Sequence, residues 1–222
     1  MNNSFMNTAR LLGAGLRALL VLTLVTGVVY PLVVTGIAQA AFPDKANGSE
    51  ITADGKVVGS SLIGQSYHLP LKKGQQTPEA DLKWFQGRPV NGLGTNSVNT
   101  RYKLVLSGAT NLSADSEVLL EQVRDARAAV VRDNSVPGHR VEPADVPADA
   151  VTSSGSGLDP DISPAYARLQ VHRVAARNHL PVATVEKLVR DHTAGRTLGF
   201  IGEPRVNVLE LNIALEDLTA KH

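Results

Sequence analysis

Polar and apolar residues alternate in two different ways along this chain. From Ala18 to Phe42 the run ALLVLTLVTGVVYPLVVTGIAQAAF holds no charged residue over 25 positions. As a helix it extends about 37 Å at roughly 1.5 Å per residue. A bilayer's hydrocarbon core is about 30 Å thick, so the run is expected to be one transmembrane helix. Within it Thr23, Gly27, Pro31, Thr35 and Gln39 recur every four residues. That spacing lines small and weakly polar side chains along one slowly drifting stripe, the kind of surface another helix can approach. Pro31 cannot donate to the Gly27 carbonyl, so a kink is expected there.

Residues 43–222 follow shorter periods. Lys56-Val57-Val58 and Ser61-Leu62-Ile63 lie between glycines and read as short strands, with Asp54-Gly55 as a hairpin turn. Residues 68–83 read as a polar surface loop, and Trp84-Phe85 as a plug at the core's edge beside the Gln86-Gly87-Arg88-Pro89 turn. Asn91–Thr100 reads as irregular and Tyr102–Leu106 as a strand. Helices are expected near 113–133, 164–179, 182–194 and 207–219. Ser113 would cap the first and Ser163-Pro164 would open the second. Gly195 would close the third, and Asn207 with Glu210 would cap the fourth. Leu198–Ile201 is a candidate strand. The expected core includes Leu119, Val123, Val174, Leu188, Leu211 and Leu215. The fold class is thus α+β: a single N-terminal transmembrane helix followed by one α+β domain.

Charge adds a direction. Arg10 and Arg17 are the only charged residues ahead of the apolar run, and a mixture of acids and lysines follows it. Positive flanks stay cytoplasmic. Residues 1–17 are therefore expected to be a cytoplasmic tail, 18–42 the membrane helix, and 43–222 an extracytoplasmic, periplasmic-side domain of the inner membrane. A cleaved signal is the rival reading, since Ala38-Gln39-Ala40 resembles a cleavage site, but the run is much longer than the roughly 7–15 residues of a signal core. The formal net charge of +1 offers no basic face for nucleic acid. The absence of cysteine excludes disulfides, thiolate metal sites and thiol catalysis.

Catalytic patterns fail one by one. Ser154-Gly155-Ser156-Gly157 lacks the glycine that a nucleophile elbow needs two places before the serine. There is no phosphate-binding loop. His172 and His179 stand seven apart, without a zinc-binding spacing. Asp159-Pro160-Asp161 places two carboxylates in a turn, read as turn chemistry rather than a cation site. Glu203-Pro204-Arg205 reads as a local ion-paired turn.

The segments VTSSGSGLDPDISPAYARLQVHRVAARNHL (from Val151) and LVRDHTAGRTLGFIGEPRVNVLELNIAL are joined by GSSLIGQSY, FQGRP and the span ending YPLVVTGIAQAAFP. Together, and in the family's order along the chain, they resemble the C subunit of the bacterial potassium-transporting P-type ATPase, the Kdp pump. The resemblance departs at 92–119, where a Gly/Ser/Asn/Pro-rich stretch is usual, at Asp161 in place of a histidine, and at Ala194 in place of an acid. It implies a non-catalytic, single-pass accessory subunit of a high-affinity potassium-uptake complex. Its partners would be a channel-like potassium-binding subunit, an ATP-hydrolysing P-type subunit and a small accessory peptide, with membrane lipid around the helix. The family is described as assisting assembly and raising the catalytic subunit's ATP affinity. An outer domain cannot touch cytosolic ATP, so no cofactor is expected to bind directly; ATP and potassium fall to the partners. Candidate partner-contact or structural residues are Gln86, Gly87, Arg88, Pro89, Gly155, Gly157, Asp159, Glu203, Arg205 and Asn207. A membrane-anchored extracytoplasmic enzyme and an exported protein with a cleaved signal are the alternatives.

Overall fold

The computed structural model describes residues 2–75, 77–91, 93–95 and 105–220. The chain falls into two units, one reaching Glu50 and one starting at Ile51.

The first unit is helical. α1 (Asn2–Leu24) and α2 (Tyr30–Ala41) are joined by a π-helical turn, Val25–Val29, and a short α3 (Pro43–Ala46) follows. The stretch Ser4–Ala41 is long and apolar enough to span a membrane, and none of it is buried within the protein. Leu20 and Ile37 are 60% and 62% exposed; side chains this apolar are stable outside a core only against lipid or another apolar surface. Helical geometry begins at Asn2, so Arg10 and Arg17 ride exposed on α1 ahead of the apolar run.

The expected irregularity lies one turn before Pro31. Pro31 lacks the N–H that would reach Gly27, and the Tyr30 N–H bonds the Val25 carbonyl instead. In an unbroken α-helix a four-residue period drifts by about 160° over the four steps from Thr23 to Gln39. A π-turn spends an extra residue on one turn and sets much of that drift back. The stripe therefore keeps closer to one face than α geometry alone allows.

The second unit opens with the hairpin β1 (Glu50–Ala53) and β2 (Lys56–Ser60). Asp54 and Gly55 take φ of 49° and 72°, the pair of positive values that a two-residue turn between twisted strands requires. Ser61-Leu62-Ile63 is a turn, not the expected strand; the Ser60 hydroxyl accepts from the Leu62 N–H and bends the chain there. The loop at 68–83 is pinched by the Leu69 N–H bonding Glu79 and the Asp81 N–H bonding Tyr67. β3 (Gly94–Thr95) pairs antiparallel with β4 (Val105–Leu106), so the region expected to be irregular contains a short strand. Tyr102 and the rest of the expected strand up to Val105 lie outside the described residues.

α4 (Glu117–Asn134) starts from Ser116, not Ser113, and no side chain caps it. Ser113 instead closes a turn with the Ser116 N–H. Of its expected core residues Val123 is only partly buried and Leu119 lies outside the core cluster; Val130, a turn or more further on, is buried instead. β5 (Asp161–Ile162) leads into α5 (Pro164–Arg177), where the Ser163 hydroxyl accepts from the Tyr166 N–H at 3.0 Å. α6 (Val182–Asp191) ends earlier than expected, with His192 rather than Gly195 at its cap, because Thr193–Ala194 leaves to form β6. β7 (Arg205–Asn207) pairs antiparallel with both β5 and β6, with Val206 opposite Ile162 and Thr193. The expected strand Leu198–Ile201 is an exposed turn with Leu198 at φ 54° and Gly199 at φ 83°. Finally Asn207 caps α7 (Val208–Thr219) by accepting from the Glu210 N–H at 3.1 Å.

α5 packs against α4 and α6, and α6 against α7. The core they share with the sheet includes Phe85, Val174, Val185, Val206, Leu211 and Leu215, each 0% exposed. Burying a side chain of this size is worth about 1.5–3 kcal/mol. Leu188 sits at the margin, partly buried.

Candidate functional site

Three of the sequence-predicted residues assemble into one ion-paired brace. Arg88 Nη1 lies 3.0 Å from Asp159 Oδ2, and its Nε and Nη2 donate to the Thr152 and Ser153 carbonyls at 3.3 Å. Asp159 Oδ1 accepts from the Asp161 N–H at 3.0 Å, as a turn-forming aspartate does. Asp161 in turn holds Arg205 Nε at 3.2 Å. Burial pushes the Asp161 carboxyl up despite the opposing pull of Arg205. Asn207 faces Asp161 in the β5–β7 register and donates to the Ser61 carbonyl at 2.8 Å. The Gly64 N–H reaches the Leu158 carbonyl at 2.8 Å. The loops at 61–64, 85–89 and 152–161 are thereby tied to β7.

A second set of polar residues was not singled out from the sequence, and it lies at the centre of the fold. Phe85 has both backbone groups paired to the amide of Asn212: its N–H donates to Oδ1 and its C=O accepts from Nδ2, each at 2.9 Å. Gln86 has the same arrangement with Gln170, at 2.7 and 3.0 Å. Each side chain substitutes for a strand partner, so an irregular loop enters the core without orphaned backbone groups. Arg173 is 1% exposed. It donates from Nε to Asn134 Oδ1 at 2.9 Å, from Nη1 to the Leu82 and Trp84 carbonyls, and from Nη2 to Gln170 Oε1 at 2.6 Å. Burial lowers its pKa to about 10. The available signal was polar residues inside apolar stripes: Gln170 and Arg173 interrupt Ala167, Val171 and Val174, and Asn212 follows Leu211.

The remaining predicted residues separate. Glu203 pairs with Arg196 at 2.8 Å while Arg205 pairs with Asp161, so the local Glu203–Arg205 bridge expected from sequence does not form. Asp161 on the neighbouring strand holds Arg205, while Glu203, which lies before β7 begins, pairs with Arg196. Gly87 and Pro89 line a cavity beside Arg88. Gly157, at φ 68°, is packed so that a Cβ would meet Leu93 at 2.6 Å, whereas Gly155 faces open space. Ser154 and Ser156 spend their hydroxyls on the Gly157 and Leu158 N–H groups. That is turn chemistry. No cluster of three metal-ligating side chains occurs among the described residues. In the membrane helix Gly27 has nothing within 4 Å of a built Cβ. Gln39 exchanges hydrogen bonds with Asn47 at 2.9 and 3.3 Å, so the end of the stripe is engaged with α3's cap.

The chain's likeness to known proteins covers both units. The family described as "KdpC: K+-transporting ATPase, c chain" matches residues 12–217. A Streptomyces avermitilis protein named potassium-transporting ATPase KdpC subunit is 76% identical over 220 residues, 99% of each chain. A Streptomyces coelicolor protein of the same name is 77% identical, covering 99% of this chain and 98% of its own. A more distant relative of that name from Gemmatimonas aurantiaca is 46% identical, over 92% of this chain and 94% of its own. Matched from the membrane helix through α7, the chain belongs to the KdpC family, the c chain of K+-transporting ATPases.

Proposed function

We propose that the protein serves the potassium-transporting ATPase as a non-catalytic accessory subunit that assists assembly and braces the complex from outside the membrane. The match over residues 12–217 carries this reading. In its support, the polar residues that sequence motifs drew attention to are spent on holding loops together, as Arg88, Asp159, Asp161 and Arg205 are. Arg10 and Arg17 ahead of the span favour a cytoplasmic N-terminus and a domain on the potassium-entry side. ATP hydrolysis then belongs to a P-type partner and potassium binding to a channel-like one. Any effect on ATP affinity is transmitted through these partners, not by direct contact. Thr23, Gly27, Pro31 and Thr35 form the face that meets a partner helix, with small residues permitting close approach.

A pull-down of the full chain in mild detergent tests the assembly, with recovery of the ATP-hydrolysing subunit expected and its absence overturning the subunit reading. Cells carrying a chain truncated after residue 42 test the bracing role. Potassium uptake at low external potassium should fall, and unchanged uptake would refute it.

A further inference from the structure

The cavity beside Arg88 is walled by the loop at 86–90, α4 and α5, and has a volume of about 230 Å³. Its floor carries two α5 side chains with unspent hydrogen-bonding capacity. Tyr166 is 4% exposed, and its hydroxyl has no hydrogen-bond partner among the described residues. Among the described residues no fully buried side-chain oxygen lacks a partner, so the Tyr166 hydroxyl keeps some access to solvent, and Tyr166 lines this cavity. Burial pushes its pKa up to about 12, which keeps it a donor. Arg173 uses four of its five N–H groups on neutral acceptors, leaving one Nη2 hydrogen free among the described residues. No carboxylate pairs with it there; Asp133 and Asp81 act only at a distance.

The charges on the walls set the ligand. Arg88 is neutralised by Asp159 at 3.0 Å, and Asp133 by Arg132 at 2.8 Å. Among the described charged residues lining the cavity, only the buried Arg173 has no ion-pair partner, and a desolvated guanidinium is strongly drawn to a carboxylate. Ala126, Ala129 and Val130 of α4 supply an apolar wall. We propose that this cavity binds a small monocarboxylate, its oxygens on the Tyr166 hydroxyl and the Arg173 guanidinium and its short apolar body against α4. A phosphate dianion suits the cavity less, because Asp133 lines it and only one positive charge is left to balance.

The test uses the full chain in detergent, heated with rising sodium butyrate, with sodium chloride and sodium phosphate at equal ionic strength as comparisons. A ligand that binds only the folded state raises the melting temperature in a saturable way. Butyrate should do so, and chloride should not. Tyr166→Phe deletes one hydrogen bond to a charged group and should weaken butyrate binding by about tenfold or more. Ala129→Leu, on the far wall and outside the buried network, should abolish it. No saturable shift with butyrate leaves the cavity to water and overturns the proposal. So does an equal shift with phosphate, which marks a general ionic effect, and so do unchanged affinities in both variants.

Discussion

Replacing Asn212 by leucine tests how an irregular loop is held in the core. Leucine keeps the branched outline of asparagine but is bulkier, so the substitution removes the polarity and adds some overpacking at a buried site. The Phe85 N–H and C=O, each bonded to the Asn212 amide at 2.9 Å, then lose their partners beside a side chain that is 0% exposed. An unsatisfied buried backbone group costs about 1–3 kcal/mol, so two cost about 2–6 kcal/mol. The added apolar burial, about 1–2 kcal/mol at roughly 25 cal/mol per Å², is about cancelled by overpacking of about 1–3 kcal/mol, so the net loss stays at about 2–6 kcal/mol. In a domain of this length each kcal/mol lowers the melting temperature by about 2–4 °C. The expected fall is therefore about 4–24 °C. Near-ultraviolet circular dichroism of the full chain in detergent follows it, because Trp84, next in sequence to Phe85, lies tilted against Tyr67 at 5.9 Å between ring centroids. An Asn212→Leu protein as stable as the parent would mean that Phe85 finds other partners, and the account of the loop would fail.

Three further outcomes follow from single contacts. Gly64→Ala would place a Cβ 2.4 Å from the Asp159 carbonyl oxygen, a backbone atom with no room to yield; a loss of about 1–3 kcal/mol is expected for such overpacking, read by urea denaturation. Arg88→Ala removes the Asp159 ion pair and two carbonyl bonds and should cost about 1–3 kcal/mol, with faster proteolysis in the loops at 85–89 and 152–161 as the check. His172 stacks on His139 at 3.7 Å between centroids, and burial, followed by the charge of His139, lowers its pKa. Its stabilising contribution is thus complete above the ordinary histidine pKa of about 6.5 and is lost as pH falls through the lower folded value. His172→Phe should flatten the decline in melting temperature between pH 7 and 5, and an unaltered slope would refute the assignment.

Local chemistry explains where the sequence-based expectations hold. Ser163 ahead of Pro164 and Asn207 ahead of Glu210 cap their helices as expected, because a cap needs only a side chain and an N–H three residues on. Asp54-Gly55 turns the hairpin because both residues accept positive φ. Expectations fail where a partner far along the chain decides. Leu198–Ile201 has a strand's composition but becomes an exposed turn, while the less apolar Thr193–Ala194 and Arg205–Asn207 enter the sheet. Strands of two or three residues have no internal periodicity; they exist only through pairing. Glu203 and Arg205 likewise find separate partners, which adjacency in sequence did not reveal.

What the sequence determined by itself is therefore the membrane helix, the caps that open α5 and α7, the hairpin and the family resemblance, each carried by composition, spacing or motif order. Tertiary structure alone decided the amide clamps on Phe85 and Gln86 and the burial of Arg173 without a carboxylate. The physical reason is the same for both clamps. A buried backbone group must find a partner, and here that partner lies 127 residues away for Phe85 and 84 for Gln86.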